Sequence, residues 1–428
     1  MTETELGRPT AVLAAADTGE YDLDVSLAEL RELADTAGYD TFGVITQRRE
    51  GPDPATFLGR GRLEELAQFV ENSDADAVIF DHELSPVQIR NIEKICDCPV
   101  IDRTMLILDI FASRAVSAEG KLQVELAQLR YQLPRLSGRG VQLSRQGGGG
   151  GGAAGARRGG GETKLETDRR HIRRRITALE GELEDLTARR ERLRQRRKKD
   201  GLTTVAIVGY TNVGKSTLLN QLTQAGVLAE DKLFATLDPT ARALDLPDGR
   251  RVMLIDTVGL VRRLPHHLVE AFKSTLEEAA GADLILNVCD ITSPEMAQQL
   301  EVTQSLLTQL GVEDTPVLVV LNKCDLVQEN LDPIAGTVVK ISAKTGQGMA
   351  ELLAAIAAGL PPSHVRMTLL LPYSMGELQA RIEGLGKVFD RQFLPEGVLL
   401  DAAVDRTLLA AAEPYVQKPG AASGRDKE

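Results

Sequence analysis

Residues 203–216 read Thr203-Thr204-Val205-Ala206-Ile207-Val208-Gly209-Tyr210-Thr211-Asn212-Val213-Gly214-Lys215-Ser216. Thr203 to Val208 is an apolar, β-branched run, as in a buried strand. Gly209 to Ser216 is a GxxxxGKS element, and Thr217 to Thr223 continues with helical character. That element between a strand and a helix is a phosphate-binding P-loop. Its glycines let backbone N–H groups wrap phosphate oxygens, and the helix that follows points its positive dipole end at them. Lys215 is placed to reach the β- and γ-phosphates, and the Ser216 hydroxyl to ligate Mg2+.

Downstream, Val252 to Ile255 runs into Asp256-Thr257-Val258-Gly259. A carboxylate at that strand end can join the magnesium shell, and the Gly259 N–H can meet a γ-phosphate. Val317 to Leu321 leads into Asn322-Lys323-Cys324-Asp325. An NKxD at a strand end selects guanine, because its Asp accepts from the ring N–H and the amino group, a donor pair that adenine lacks. Lys323 packs along the loop and the base. Val338 to Ile341 then leads into Ser342-Ala343-Lys344, whose backbone can seat the guanine keto oxygen. Each motif is short, but four in order, each closing an apolar strand, specify a GTP-binding parallel α/β domain over 201–361. Phe234-Ala235-Thr236-Leu237-Asp238-Pro239-Thr240 lies between the first two motifs, where a switch threonine is expected to close on magnesium and γ-phosphate. Thr236 and Thr240 both qualify by type.

Leu260 follows Gly259 where many GTPases place a Gln that orients the attacking water, so intrinsic hydrolysis is expected to be slow. Asn212 has two readings. It can cap the loop, or it can help hold a K+ ion in the role of an arginine finger, as in several GTPases. His266 and His267, after Arg262-Arg263, read as surface residues of the second switch rather than as groups acting on the water.

The chain has 428 residues and a formal charge of −12, a length that suggests about three domains. With 43% hydrophobic and 26% charged residues it is neither wholly disordered nor a disulfide-stapled miniprotein. No apolar run is long enough for a membrane span, and the N-terminus lacks the basic region of a signal peptide. Cys96, Cys98, Cys289 and Cys324 form no metal-ligand spacing, so a cytoplasmic location with free thiols is expected.

Taken alone, the acidic balance argues against a nucleic-acid partner, but the charge is unevenly spread. Residues 157–199 hold 16 Lys and Arg against 8 Asp and Glu, a net +8, which leaves −12 − 8 = −20 on the rest. The block follows the glycine-rich stretch Gly147 to Gly161, expected to be a loop tip over 138–163 with neither helix nor strand. Leu122, Leu126, Leu129 and Leu133 before it, and Ile172, Ile176, Leu179, Leu183, Leu186 and Leu193 after it, are heptad-like seams. They predict an antiparallel helical hairpin over 116–200. Its polar faces carry Arg169, Arg170, Arg173 to Arg175, Arg189, Arg190, Arg192, Arg194 and Arg196 to Lys199. A basic arm on an acidic body suits a polyanion, and with few aromatics the fit is to phosphates of folded RNA.

Residues 1–115 alternate strand-like runs (Ala11–Ala15, Thr41–Thr46, Ala77–Phe80, Pro99–Ile101) with helical ones, which implies a small parallel α/β domain. Residues 362–416 read as a short α/β unit, with Met367–Leu371 and Val398–Leu400 strand-like and Gly376–Gly384 helical. Residues 417–428 read as a disordered tail.

The whole resembles the HflX family of ribosome-associated GTPases. The likeness rests on the GTPase motifs together with Pro54 to Gly61, Asp81-His82-Glu83-Leu84-Ser85-Pro86, Asp102-Arg103-Thr104, Glu119 to Ala127, Leu143 to Gln146, Gly161 to Arg170 and Leu264 to Glu278. A monomer is expected, and the likeness implies that it binds the large ribosomal subunit and its rRNA through the hairpin. It also implies that the GTP form splits stalled ribosomes into subunits, often under stress. Thr236 becomes the magnesium-binding switch residue, with Phe234 to Asp238 along the nucleotide. The tip departs from the family pattern GGGxGTRGPGETK, with an inserted Ala153-Ala154, a second arginine and no Pro before Gly161.

Overall fold

The computed structural model describes residues 7–138, 159–199, 202–223, 233–234, 240–263, 281–309, 311–312, 315–327, 336–361 and 364–417. The chain begins as β1 (Thr10–Asp17), α1 (Leu23–Thr36), β2 (Asp40–Arg48), α2 (Arg60–Ser73), β3 (Ala77–Phe80), α3 (Pro86–Cys96), β4 (Val100–Asp102) and α4 (Arg103–Arg114). The strands form one parallel sheet in the order β2-β1-β3-β4. Ala11 to Ala16 are wholly buried, as expected of a central parallel strand covered on both faces. Short polar side chains start the helices: Asp22 caps α1, Ser85 and Gln88 form a capping box on α3, and Asp102 caps α4.

The hairpin follows as α5 (Ala118–Gln132), a 3-10 turn (Leu133–Gly138) and α6 (Gly159–Lys199). Ion pairs Arg130–Glu180 (2.7 Å), Arg175–Glu125 (2.7 Å) and Arg190–Glu119 set the helices antiparallel. The hairpin's base is fastened to the N-terminal sheet. The Tyr131 hydroxyl and Arg135 meet the buried Asp102 carboxylate, and Arg135 lies 3.3 Å from the Tyr131 ring centre. One expectation is corrected here. Residues 159–163, assigned to the loop tip over 138–163, form the start of α6, and Gly138 ends the 3-10 turn. The first N–H groups of a helix need no intrahelical partner, so a 41-residue helix can extend over a few glycines at its end. The rest of the tip, 139–158, lies outside the described residues.

The central sheet comprises β5 (Thr204–Gly209), β6 (Thr240–Asp245), β7 (Arg251–Asp256), β8 (Leu284–Asp290), β9 (Val317–Asn322) and β10 (Val338–Lys340). It carries α7 (Lys215–Thr223), α8 (Met296–Gln309) and α9 (Met349–Gly359). The order is β10-β9-β8-β5-β7-β6, parallel except for the edge strand β6, which runs antiparallel to β7. Thr240, one of the two switch-threonine candidates, opens β6 opposite Asp256.

The last unit is β11 (His364–Leu371), α10 (Gly376–Leu385), β12 (Lys387–Leu394), β13 (Gly397–Asp405) and the short α11 (Leu409–Ala412). Its sheet, β11-β13-β12, is wholly antiparallel. Strand β12 is not legible in the residue pattern, because nearly all of that edge strand is exposed and it shows no clean apolar alternation.

The first two sheets share a core through α4, whose Leu106, Ile107, Ile110 and Phe111 pack in one cluster with Tyr210, Phe234 and Val261. The Phe111 and Phe234 rings meet edge-on at 4.5 Å, a geometry worth ~1 kcal/mol beyond the area it buries.

Candidate nucleotide site

Because β5, β7, β9 and β10 are parallel, the loops that leave them gather at one edge of the sheet, the usual ligand edge of an open α/β fold. The P-loop doubles back through positive φ at Gly209 (147°), Asn212 (61°) and Gly214 (92°). A Cβ at Gly209 would strike the Val288 carbonyl, and one at Gly214 would strike the Asn322 amide, so both glycines are sterically required. Asn212 is exposed at the turn.

Lys215 is 7% exposed, and its ammonium donates to the Tyr210 carbonyl at 2.7 Å. Burial pushes its pKa down to about 8, against the pull of Asp256. The Ser216 hydroxyl donates to Asp256 Oδ2 at 2.8 Å, so β7 and α7 bring together a hydroxyl and a carboxylate. These hard oxygens suit Mg2+, which takes one or two protein ligands and completes its shell with phosphate and water.

Gly259 lies against the P-loop. A Cβ there would meet Thr211 Cγ2 at 2.6 Å and Lys215 Nζ at 3.1 Å. Leu260 is 4% exposed and packs in the core, so its side chain does not reach toward water.

Asn322 links two loops: its Nδ2 donates to the Val213 carbonyl at 2.7 Å, and its Oδ1 accepts from the Ala343 N–H at 2.9 Å. Removing it would leave two buried backbone groups unpaired. Asn322→Ala should therefore cost about 2–4 kcal/mol in urea unfolding, and unchanged stability would refute this bracing role. Lys323 sits at φ 65° with its ammonium 2.6 Å from Asp290 Oδ2, a brace the sequence did not reveal. Cys324 N–H donates to the Ile341 carbonyl, which holds the exposed Asp325 beside Ser342-Ala343-Lys344. Ser342 and Ala343 are buried, and Lys344 is exposed.

Several predicted site residues offer only backbone. Tyr210, Val213, Val258 and Phe234 bury their side chains in the core, and the Thr257 hydroxyl donates to the Ile207 carbonyl at 2.7 Å. Phe234 in particular turns onto Phe111 rather than outward along a nucleotide, because an apolar ring gains more from the domain seam than from water. Thr217 is half-buried in the first turn of α7. Ala235, Thr236, Leu237 and Asp238, like His266 and His267, lie outside the described residues.

A P-loop and three further loops on one edge of a largely parallel sheet define the P-loop GTPase class. Three family models match in succession: "GTP-binding GTPase N-terminal" over 24–112, "GTP-binding GTPase Middle Region" over 114–197 and "50S ribosome-binding GTPase" over 204–323. The chain belongs to the HflX family of GTPases. It is 50% identical to GTPase HflX of Caldanaerobacter subterraneus, covering 94% of this chain and 93% of that one. To GTPase HflX of Escherichia coli it is 44% identical, covering 89% of each. A solved GTP-binding protein from Sulfolobus solfataricus in complex with GDP is 26% identical, with 82% of this chain and 98% of that one covered and a TM-score of 0.45. The protein is a GTP hydrolase of a ribosome-associated family.

Proposed function

We propose that this GTPase engages the large ribosomal subunit and its rRNA through the hairpin and, in its GTP form, separates stalled or idle ribosomes into subunits. The observation that carries the reading is the surface of α6. Arg175 and Arg190 are drawn into ion pairs within the hairpin. Arg170, Arg174, Arg189 and Arg192 are exposed and enter none of its described ion pairs. Free guanidinium groups on an arm of net +8, carried by a body of −20, favour phosphate contact while the body repels nonspecific polyanion.

In the reaction a water attacks the γ-phosphorus and GDP leaves. Lys215 holds the β- and γ-phosphates and meets the charge that develops between them. The P-loop N–H groups from Asn212 to Thr217 orient the chain of phosphates, and the Gly259 N–H senses the last of them. Ser216, Asp256 and Thr236 would hold Mg2+, which when bound neutralises the phosphate oxygens. Asp325 reads the guanine edge, Lys323 flanks the ring and Ala343 N–H meets the keto oxygen. With Leu260 in place of a water-orienting Gln, turnover depends on the ribosome for its full rate.

The test is sucrose-gradient sedimentation of intact ribosomes with the protein and a non-hydrolysable GTP analogue. Subunit peaks should appear only when both are present. The variant with Arg170, Arg174, Arg189 and Arg192 all changed to Glu should lose ribosome binding by about 100-fold or more at low salt. Its GTP turnover without ribosomes should be unchanged. Intact ribosomes with every combination would sink the proposal.

A further inference from the structure

Arg263 lies four residues beyond Gly259, and its side chain leaves the GTPase domain. Its guanidinium enters the N-terminal sheet at the ends of β1 and β3. There Nη2 donates to Asp81 Oδ2 (2.5 Å), Ser26 Oγ (2.6 Å) and the Asp81 carbonyl (3.2 Å). Its plane lies 4.0 Å from the centre of the Tyr21 ring. The two strands are neighbours whose chains depart to opposite sides, toward β2 and toward β4. In open α/β sheets that divergence is where a ligand sits, and here the occupant is a side chain of the same protein. Asp81 is wholly buried, and Arg103 holds its other oxygen at 2.9 Å. Arg262 doubles the attachment through Glu29 (3.4 Å), and its carbonyl accepts from Arg103, while its ion pair with Glu295 stays within the GTPase domain.

The same segment is stitched at its other end to the P-loop. Leu260 N–H donates to the Gly209 carbonyl at 3.1 Å, and Thr211 N–H donates to the Leu260 carbonyl at 2.7 Å. The segment that must sense a γ-phosphate is thus tied to the P-loop at Gly209 and Thr211. Between the stitches Arg263 stands at φ 46°, a left-handed backbone that a bulky residue holds only under constraint.

We propose that Arg263 is a positioning residue of the switch. Seated in the N-terminal crevice, it holds residues 259–263 against the P-loop, and binding of a triphosphate must draw it out. The inference rests on reading Asp256 to Gly259 as the γ-phosphate sensor. A triphosphate that parts Leu260 from Thr211 pulls on Arg263 three residues away, so latch and γ-phosphate compete for one short segment. A cleft of about 160 Å³, bordered by Tyr21, Ser26, Tyr210, Arg262, Arg263 and Gln299, gives the guanidinium room to withdraw. The hairpin is mounted on the same N-terminal sheet through Asp102, so the latch joins the RNA-facing arm to the nucleotide.

The test uses full-length wild type, Arg263→Ala and Arg263→Lys, with competition against a fluorescent GDP. Removing the latch should tighten a non-hydrolysable GTP analogue by about tenfold and leave GDP unchanged, because only the triphosphate works against the latch. Arg263→Lys, which keeps the charge but not the stacking on Tyr21, should fall between. The chain has no tryptophan, so Tyr21→Trp gives a single reporter beneath the guanidinium. The analogue should shift its emission to the red and GDP should not, and adding Arg263→Ala should abolish the difference. Equal analogue affinity in wild type and Arg263→Ala overturns the proposal. So does reporter emission that is the same with both nucleotides while both bind. If wild type binds neither nucleotide, the reading of the site fails first, and the fluorescent GDP shows it directly.

Discussion

Asp325→Asn should weaken GTP by roughly 100- to 1,000-fold, the loss of two hydrogen bonds to a charged acceptor at ~1.5–3 kcal/mol each, offset in part by what the amide retains. The carboxylate accepts from the guanine ring N–H and amino group. An amide accepts one of these and turns its own N–H toward the other, donor against donor. Xanthine carries a carbonyl where guanine carries the amino group, so the variant should bind xanthosine triphosphate better than GTP. The position makes the test clean. Asp325 is exposed on a short 3-10 turn, and that turn is fixed independently by Cys324 N–H on the Ile341 carbonyl and by Lys323 on Asp290. Unchanged GTP affinity would remove Asp325 from base recognition.

Lys215→Ala should lower single-turnover GTP hydrolysis by about 1,000-fold, or ~4 kcal/mol, the scale of losing a charged group aimed at the transition state. Lys215 is buried, and its ammonium is fixed to the Tyr210 carbonyl. Burial pushes its pKa down to about 8, against the pull of Asp256. Lys215→Arg should fail almost as badly, because a planar guanidinium does not reproduce the compact point charge of the ammonium. Circular dichroism checks that each variant is folded. Turnover within tenfold of wild type would remove Lys215 from the reaction.

Both predictions rest on residues legible in the sequence, and the reason is local. A P-loop, a DxxG and an NKxD act through backbone turns of a few residues, so their spacing carries their geometry. The required glycines, the strand that feeds each loop and the Ser216–Asp256 meeting were all implied by motif order. The hairpin was legible too, because its seam repeats along the chain. Where the sequence misled, a neighbouring element had overruled local character. Gly159 to Gly161 join a helix because a long neighbour propagates through them. Phe234 turns away from the nucleotide edge because Phe111, more than a hundred residues earlier, offers its ring a buried partner.

The succession of motifs along the chain, their spacing and the separation of a basic arm from an acidic body belong to the sequence alone, since each depends on residues close together or on composition. The seam between the N-terminal and GTPase domains belongs to the fold. Asp81, Arg103 and Arg263 are scattered over 182 positions, and no periodicity links them. They meet only because β1 and β3 diverge at one point and α4 lays one sheet's core against the other's. A buried carboxylate must then find its cations wherever packing brings them.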